Sequence, residues 1–128
     1  MEIISPISLG ELVDKISILE IKINKINDTS KQKNIINELN KLENILSNLN
    51  LHDELIIKYK KKLYQINQEL WEVEDILREK ENKNEFGDDF INFARKVYKL
   101  NDKRFEFKNE LNKAFDSQIV EEKSYKSY

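Results

Sequence analysis

Glycine and proline are nearly absent from this chain, and their scarcity restricts its fold more than any other feature. The 128 residues contain two glycines and one proline. Sandwiches and barrels need a turn about every 8–12 residues, and these two residue types supply many of those turns. The length is that of one ordinary domain with one hydrophobic core. We therefore predict an all-α fold that forms a single helical domain over residues 1–128.

The charge and the reactive residue types exclude several functional classes. The 22 basic and 24 acidic residues give a net charge of −2, so no overall field attracts nucleic acid or a membrane surface. Without cysteine and with a single histidine, the chain has neither thiolate chemistry nor a histidine-based metal site. No apolar run approaches the roughly 18 residues of a membrane span, and the N-terminus lacks a signal-peptide pattern. We expect a cytoplasmic protein with no membrane partner and no nucleic-acid partner.

Apolar residues spaced three and four apart predict the first two helices. Ser8 and Glu11 form a capping box that begins helix one near Leu9, after an extended arm of residues 1–8. Residues 27–30 form a turn with a new N-cap. The two apolar stripes are Leu9, Leu12, Ile16, Leu19, Ile23 and Ile26, then Ile35, Leu39, Leu42, Leu46 and Leu49.

The third and fourth helices complete an antiparallel bundle of about four helices. His52 or Asp53 is expected to cap helix three, which extends over residues 53–83 and spans about 45 Å. A turn at Gly87 precedes helix four, with Asp88 or Asp89 as its cap, and residues 117–128 form a non-helical tail. The length of helix three exceeds what a compact domain needs, so we predict a homodimer. The helix-three stripe is Ile56, Tyr59, Leu63, Ile66, Leu70, Val73 and Leu77.

Helix four contains polar residues at positions that its apolar stripe places inside. Its stripe begins with Phe90, Ala94 and Val97 and resumes at Leu111 and Phe115. A buried polar group costs a few kcal/mol unless it finds a partner, so the interrupting residues should meet complementary groups. The interrupting residues are Asn101, Arg104 and Lys108. The candidate partners are Glu74, Asp75 and Arg78 on helix three and Asp14, Ser17 and Glu20 on helix one.

Two residues of helix three admit several interpretations. Arg78 stands four residues after Glu74 and three after Asp75, so it fits a surface ion pair, an internal network that fixes helix register, or a ligand site. Trp71 fits the edge of the core, a helix interface, or a platform on which a base or sugar stacks. The sequence leaves these alternatives open.

An enzymatic alternative rests on the acidic spacing of helix three. Glu69, Glu72 and Asp75 stand three apart, which resembles the Mg²⁺-binding helices of the all-α nucleoside triphosphate pyrophosphohydrolases. Helix four adds only Asp102 as a second-helix carboxylate. No nucleophile with a positioned base and no phosphate-binding glycine loop is present. This alternative is a small metal-dependent hydrolase or transferase acting on a phosphorylated metabolite. It would use Arg78, Arg104 and Lys108 for phosphate and Glu74 or Asp75 for a cation.

Four ordered motifs carry a resemblance to a known family. The motifs are "SPISLGELVDKISILEIK" (5–22), "LWEVEDILREKE" (70–81), "FARKVYKLNDKRFEFKNELN" (93–112) and "VEEKSY" (120–125). They resemble an uncharacterised bacterial and phage family, domain of unknown function 6165, over nearly the full length. The resemblance implies no activity.

The resemblance also implies which polar residues form the site. These positions are Glu11, Asp14, Lys15, Glu20 and Lys22; Glu74, Asp75 and Arg78; Asn101, Asp102, Arg104 and Lys108; and Glu122, Lys123, Ser124 and Tyr125. Several of them are the residues that helix register marks independently. We expect a polar site between helices one, three and four, covered by a lid from Lys123 to Tyr125.

The function that these patterns favour is a non-enzymatic helical binding or assembly module. We expect self-association and, as ligand, an anionic or phosphorylated small molecule. We expect no resident metal and no cofactor, with Mg²⁺ required only under the enzymatic alternative.

Overall fold

The computed structural model describes residues 1–51 and 54–128, and four α-helices account for most of them. No strand occurs within the described residues, which confirms the predicted all-α class. The arm of residues 1–8 and the tail of residues 117–128 are non-helical, as predicted. The predicted caps His52 and Asp53 lie outside the described residues. The helices are α1 (Leu9–Lys25), α2 (Thr29–Asn48), α3 (Glu54–Asn82) and α4 (Asp88–Ala114).

The helix ends follow local side-chain chemistry. The Ser8 hydroxyl accepts a hydrogen bond from the Glu11 amide at 3.1 Å, and Asp28 caps α2 in the same way. At α4 the predicted cap is wrong, because Gly87 is the N-cap and makes no side-chain capping bond. Asp88 and Asp89 instead occupy the first turn, where the helix dipole stabilises a negative charge.

Helix α1 is the centre of the molecule because it packs against each of the other three helices. One face of α1 forms a hydrophobic cluster with α2, while Val13, on another face, packs in a second cluster with Ile56, Leu63 and Leu111. Helix α2 packs mainly against α1, and its Leu46 also borders the second cluster. The first cluster contains the buried residues Leu12, Ile16, Leu19, Ile35 and Leu39.

Helices α3 and α4 extend beyond the part that α1 covers. Helix α3 has 29 residues and α1 has 17, a difference in length of about 18 Å at 1.5 Å per residue. Val73 is the last buried residue of α3, and no residue of α4 before Lys108 is buried. The stripe of Phe90, Ala94 and Val97 is therefore only half-buried, because no third helix covers it. We call residues 75–100 the distal hairpin.

Candidate functional site

A buried ion pair joins α1 to α4. The side chain of Asp14 is completely buried, and that of Arg104 is 26% exposed. Arg104 Nε donates to Asp14 Oδ1 at 2.9 Å, and Arg104 Nη2 donates to Asp14 Oδ2 at 2.5 Å. This two-point geometry suits a planar guanidinium and a carboxylate. The hydrogen bond to Asp14 raises the pKa of Arg104 above its ordinary value despite desolvation, so the guanidinium stays charged.

Asn67 and Ser17 complete the network around Asp14. Asn67 Nδ2 donates to Asp14 Oδ1 at 2.8 Å and to Ser17 Oγ at 2.9 Å, and Ser17 Oγ donates to the Asp14 carbonyl at 2.7 Å. Across the described residues, no buried side-chain nitrogen or oxygen lacks a hydrogen-bond partner. Because a satisfied buried network permits one arrangement of its donors and acceptors, these residues fix the register of α1, α3 and α4.

A second set of polar contacts lies one turn towards the N-terminus of α1. Lys108 Nζ is 3.3 Å from Glu11 Oε2 and 2.8 Å from Glu121 Oε2, and its side chain is 9% exposed. The Gly10 amide donates to Asn112 Oδ1 at 2.6 Å. A Cβ atom at Gly10 would lie 2.5 Å from the Lys108 carbonyl oxygen. The two helices therefore approach closely enough that only glycine fits at this position.

A cleft of about 480 Å³ opens between α1, α3 and α4, beside the exposed edge of Arg104. We call it the central cleft. Its apolar wall consists of Ile18, Ile21, Leu70 and Trp71. Its polar lining consists of Asn67, Glu74, Asp75, Arg78, Asn101 and Arg104.

The polar side chains of the central cleft fall into two groups. Asn67 and Arg104 are engaged by Asp14. Within the part of the chain that the structure describes, Glu74, Asp75 and Arg78 make no ion pair and no side-chain hydrogen bond, and neither does Asn101. The surface ion pair that the helical spacing allowed for Arg78 is thus not formed. These side chains keep their donors and acceptors available in the cleft.

The structure brings some of the predicted site residues together and separates others. Five of them line the central cleft, and Asp14 lies behind the cleft as the partner of Arg104. The five are Glu74, Asp75, Arg78, Asn101 and Arg104. Several predicted residues lie outside the central cleft. Glu11 and Lys108 pair with each other, and Glu20 pairs with Lys60 at 2.6 Å. The others on the helices and at the start of the tail are Lys15 and Glu122, which are exposed, Lys22 and Asp102.

The C-terminal tail lies against α4. The Tyr128 hydroxyl donates to Asp102 at 2.6 Å, and its ring stands 5.1 Å from that of Tyr98. The hydrogen bond to Asp102 raises the pKa of Tyr128 to about 12. Of the predicted lid, Lys123 and Tyr125 line a second cleft of about 440 Å³, the tail cleft, and not the central cleft. Ser124 lines neither of these two clefts and is exposed.

Neither metal clusters nor membrane-spanning helices are found in the described structure. Among residues 1–51 and 54–128, no group of three or more acidic or histidine side chains comes together in a way that could hold a metal ion. Glu69 and Glu72 are exposed and do not line the central cleft. None of the four described helices is sufficiently long and apolar to cross a bilayer.

Sequence reasoning missed several residues that shape the site. Asn67 stands four residues after Leu63 and three before Leu70, so its spacing marks it as facing inward. Gly10 is one of two glycines and lies inside a helix, which indicates close packing. Asn112 and Glu121 gave no such signal, because the positions of their partners depend on how the helices and the tail pack.

Comparison with known proteins places the chain in a family. The model of a family of unknown function, DUF6165, matches residues 3–128. The chain belongs to this family. The resemblance predicted from the four motifs is confirmed, and the DUF6165 match includes all the residues of the central cleft. No curated protein and no solved structure matches the chain. The description of the DUF6165 family names no activity.

Proposed function

We propose that this protein is a non-enzymatic binding module that takes a small polar ligand into the central cleft. The observation that carries the proposal is the set of polar side chains without partners in the described chain, Glu74, Asp75, Arg78 and Asn101, beside Trp71. Ligand sites combine apolar walls with a few polar groups that converge on the ligand. The cytoplasmic location and the bacterial or phage origin remain predictions.

The polar residues around the central cleft have two different roles, one structural and one in ligand binding. Asp14 and Arg104 satisfy one another, so a ligand would have to break two charge-assisted hydrogen bonds to use that guanidinium fully. Arg78 is exposed and loses no intramolecular bond when it meets a ligand. We therefore assign register to the Asp14 network and recognition to the four side chains without partners.

The enzymatic alternative receives less support from the geometry. It requires Arg78, Arg104 and Lys108 to converge on a phosphate. Arg104 is held by Asp14, whereas Lys108 is held between Glu11 and Glu121 and does not line the central cleft. We therefore favour binding over phosphoryl chemistry, and a requirement for Mg²⁺ belongs only to that alternative.

A thermal-denaturation screen tests the proposed function. The compounds are amino acids, nucleotides, nucleotide sugars, Mg²⁺ and Mn²⁺. A ligand at one hundred times its dissociation constant stabilises the fold by about 2.7 kcal/mol. The variant Asp75→Asn/Arg78→Gln should fold like the parent, because it loses no intramolecular bond, yet it should lose the stabilisation by the hit.

The matched control is Glu72→Gln/Arg95→Gln. These two side chains are exposed, make no ion pair within the described residues and lie outside the central cleft. The control should keep the full ligand shift. A shift that survives Asp75→Asn/Arg78→Gln would place the binding site elsewhere and contradict the proposal.

Self-association is a second proposal, and the distal hairpin favours it. Exposed apolar side chains lie on and next to this hairpin, with Phe86 49% exposed, Ile91 52% and Tyr98 44%. Two other aromatic rings of α4 make contacts within the chain, because Phe105 contacts Lys123 and Phe107 contacts Tyr59. We expect light scattering at tens of micromolar to give a dimer mass that Ile91→Lys reduces to a monomer. A monomer mass for the parent would contradict this proposal.

A further inference from the structure

The free charge of the central cleft is negative. Its charged lining consists of Glu74, Asp75, Arg78 and Arg104, and Arg104 is neutralised by Asp14. Two carboxylates and one guanidinium therefore remain to meet a ligand. Like charges repel more strongly in a partly desolvated cleft than in water, so a phosphate dianion is disfavoured and a cationic group is favoured.

Trp71 provides a second indication of a cationic group. Lysine ammonium groups stand 5.0–5.8 Å from the ring centroids of five other aromatic residues. Within the described chain, no cation and no other ring contacts Trp71 in this way. Tryptophan is the aromatic side chain that attracts cations most strongly. Its half-buried indole in the cleft wall is thus available to a cation from outside the chain.

The order of these groups along α3 defines the length of the ligand. Residues three and four apart are neighbours on a helix surface, so Trp71, then Glu74 and Asp75, then Arg78 follow one another on a single face. Trp71 and Arg78 are separated by about 10.5 Å along the axis, and the carboxylates lie about midway. Ile18 and Ile21 form part of the opposite, apolar wall.

We infer that the ligand of the central cleft is a zwitterion in which an ammonium or guanidinium group is joined to a carboxylate by an aliphatic chain. The cation lies between the Trp71 indole and the carboxylates of Glu74 and Asp75. The ligand carboxylate pairs with Arg78, and the aliphatic chain packs on Ile18 and Ile21. A basic amino acid contains this pair of groups, together with an α-ammonium group beside the carboxylate. The inference rests on the proposed function and specifies its ligand class.

Five compounds test the inference with the 128-residue chain. ε-Aminocaproate carries both charged groups, whereas hexylamine lacks the carboxylate and caproate lacks the ammonium group. L-Lysine is the natural amino acid with the same stem, and inorganic phosphate represents the competing class. Because Trp71 is the only tryptophan, its fluorescence reports on the cleft directly, and calorimetry provides the affinity. We expect ε-aminocaproate and L-lysine to bind at least tenfold more tightly than caproate or phosphate.

Two variants assign the ends of the ligand. Arg78→Gln should weaken the binding of ε-aminocaproate at least tenfold and leave the affinity for hexylamine unchanged. Asp75→Asn should weaken the binding of both compounds. The controls Arg95→Gln and Glu72→Gln should change neither affinity.

The inference is overturned if caproate or phosphate binds as tightly as ε-aminocaproate, or if no probe changes Trp71 fluorescence. The proposed function would survive both results, provided that a compound of another class gives a thermal shift that Asp75→Asn/Arg78→Gln abolishes. The absence of any such compound would count against the proposed function itself.

Discussion

Within the Asp14 network, we expect removal of the Arg104 guanidinium to have the largest effect on the free energy of unfolding. In Arg104→Met, the carboxylate of Asp14, which is completely buried in the parent, keeps only the hydrogen bond from Asn67 among its side-chain partners. Breaking a buried ion pair by removing one partner costs about 3–5 kcal/mol. Because the Arg104 side chain is 26% exposed, water can reach the vacated position in part. We therefore expect a loss near the lower end of that range.

The double variant Asp14→Leu/Arg104→Met isolates the interaction. It removes both charges, and Asn67 retains the Ser17 hydroxyl as a partner. Apolar replacements for a buried pair are often neutral or stabilising, so the double variant should be more stable than Arg104→Met alone. We expect a coupling free energy of about 2 kcal/mol, which lies in the range for residues in direct contact.

Urea denaturation followed by the helical circular-dichroism signal measures these differences. The free energy of unfolding should fall with urea concentration at the same slope in every variant. A shift in the midpoint of the unfolding curve then reports a change in stability. A loss of about 3 kcal/mol corresponds to a fall in Tm of roughly 10–15 °C for a domain of this size. A loss below about 1 kcal/mol for Arg104→Met is what an exposed pair would give, and it would refute the buried network. Strict additivity in the double variant would refute the coupling.

Three further expectations concern packing and the tail. Gly10→Ala should destabilise the fold by about 1–3 kcal/mol in urea, because its Cβ would meet the Lys108 carbonyl at 2.5 Å; a gain in stability would contradict the close approach. Leu63→Asp should abolish the cooperative thermal transition, because Leu63 is fully buried; an unchanged Tm would show that the site is exposed. The Tyr128 phenol, with its pKa raised to about 12, keeps its hydrogen bond at lower pH and loses it as pH rises through that value. In an alkaline absorbance titration, Tyr128→Phe should therefore lack a late step present in the parent, and coincident curves would contradict the contact.

Periodicity predicted the helices well because each one buries a continuous stripe. Leu63 and Leu111, at stripe positions of α3 and α4, are fully buried. Periodicity did not reveal that α1 is buried on several faces, since Val13 and Ser17 lie outside its single predicted stripe. The number of neighbours around a helix depends on tertiary packing, and a one-stripe pattern does not contain that information.

The candidate site was predictable only in part, for a related reason. Arg104 and Lys108 could be marked as inward-facing, because they interrupt an apolar stripe in register. Their partners depend on how α1 crosses α4, so Asp14 was one of six candidates and Glu121 was not considered. The tail has no helical period, and its position on α4 follows from contacts such as Tyr128 with Asp102.

Heteronuclear NMR of the 128-residue chain tests most directly whether the central cleft is the binding site. The protein is titrated with ε-aminocaproate or with the strongest hit of the thermal screen. The single indole N–H of Trp71 and the backbone amides of Glu74, Asp75, Arg78 and Asn101 should shift together and saturate at one dissociation constant. Shifts confined to Leu46, Leu51 and Ile57, between α2 and α3, or to Tyr98 and Tyr128 at the tail cleft, would contradict binding in the central cleft.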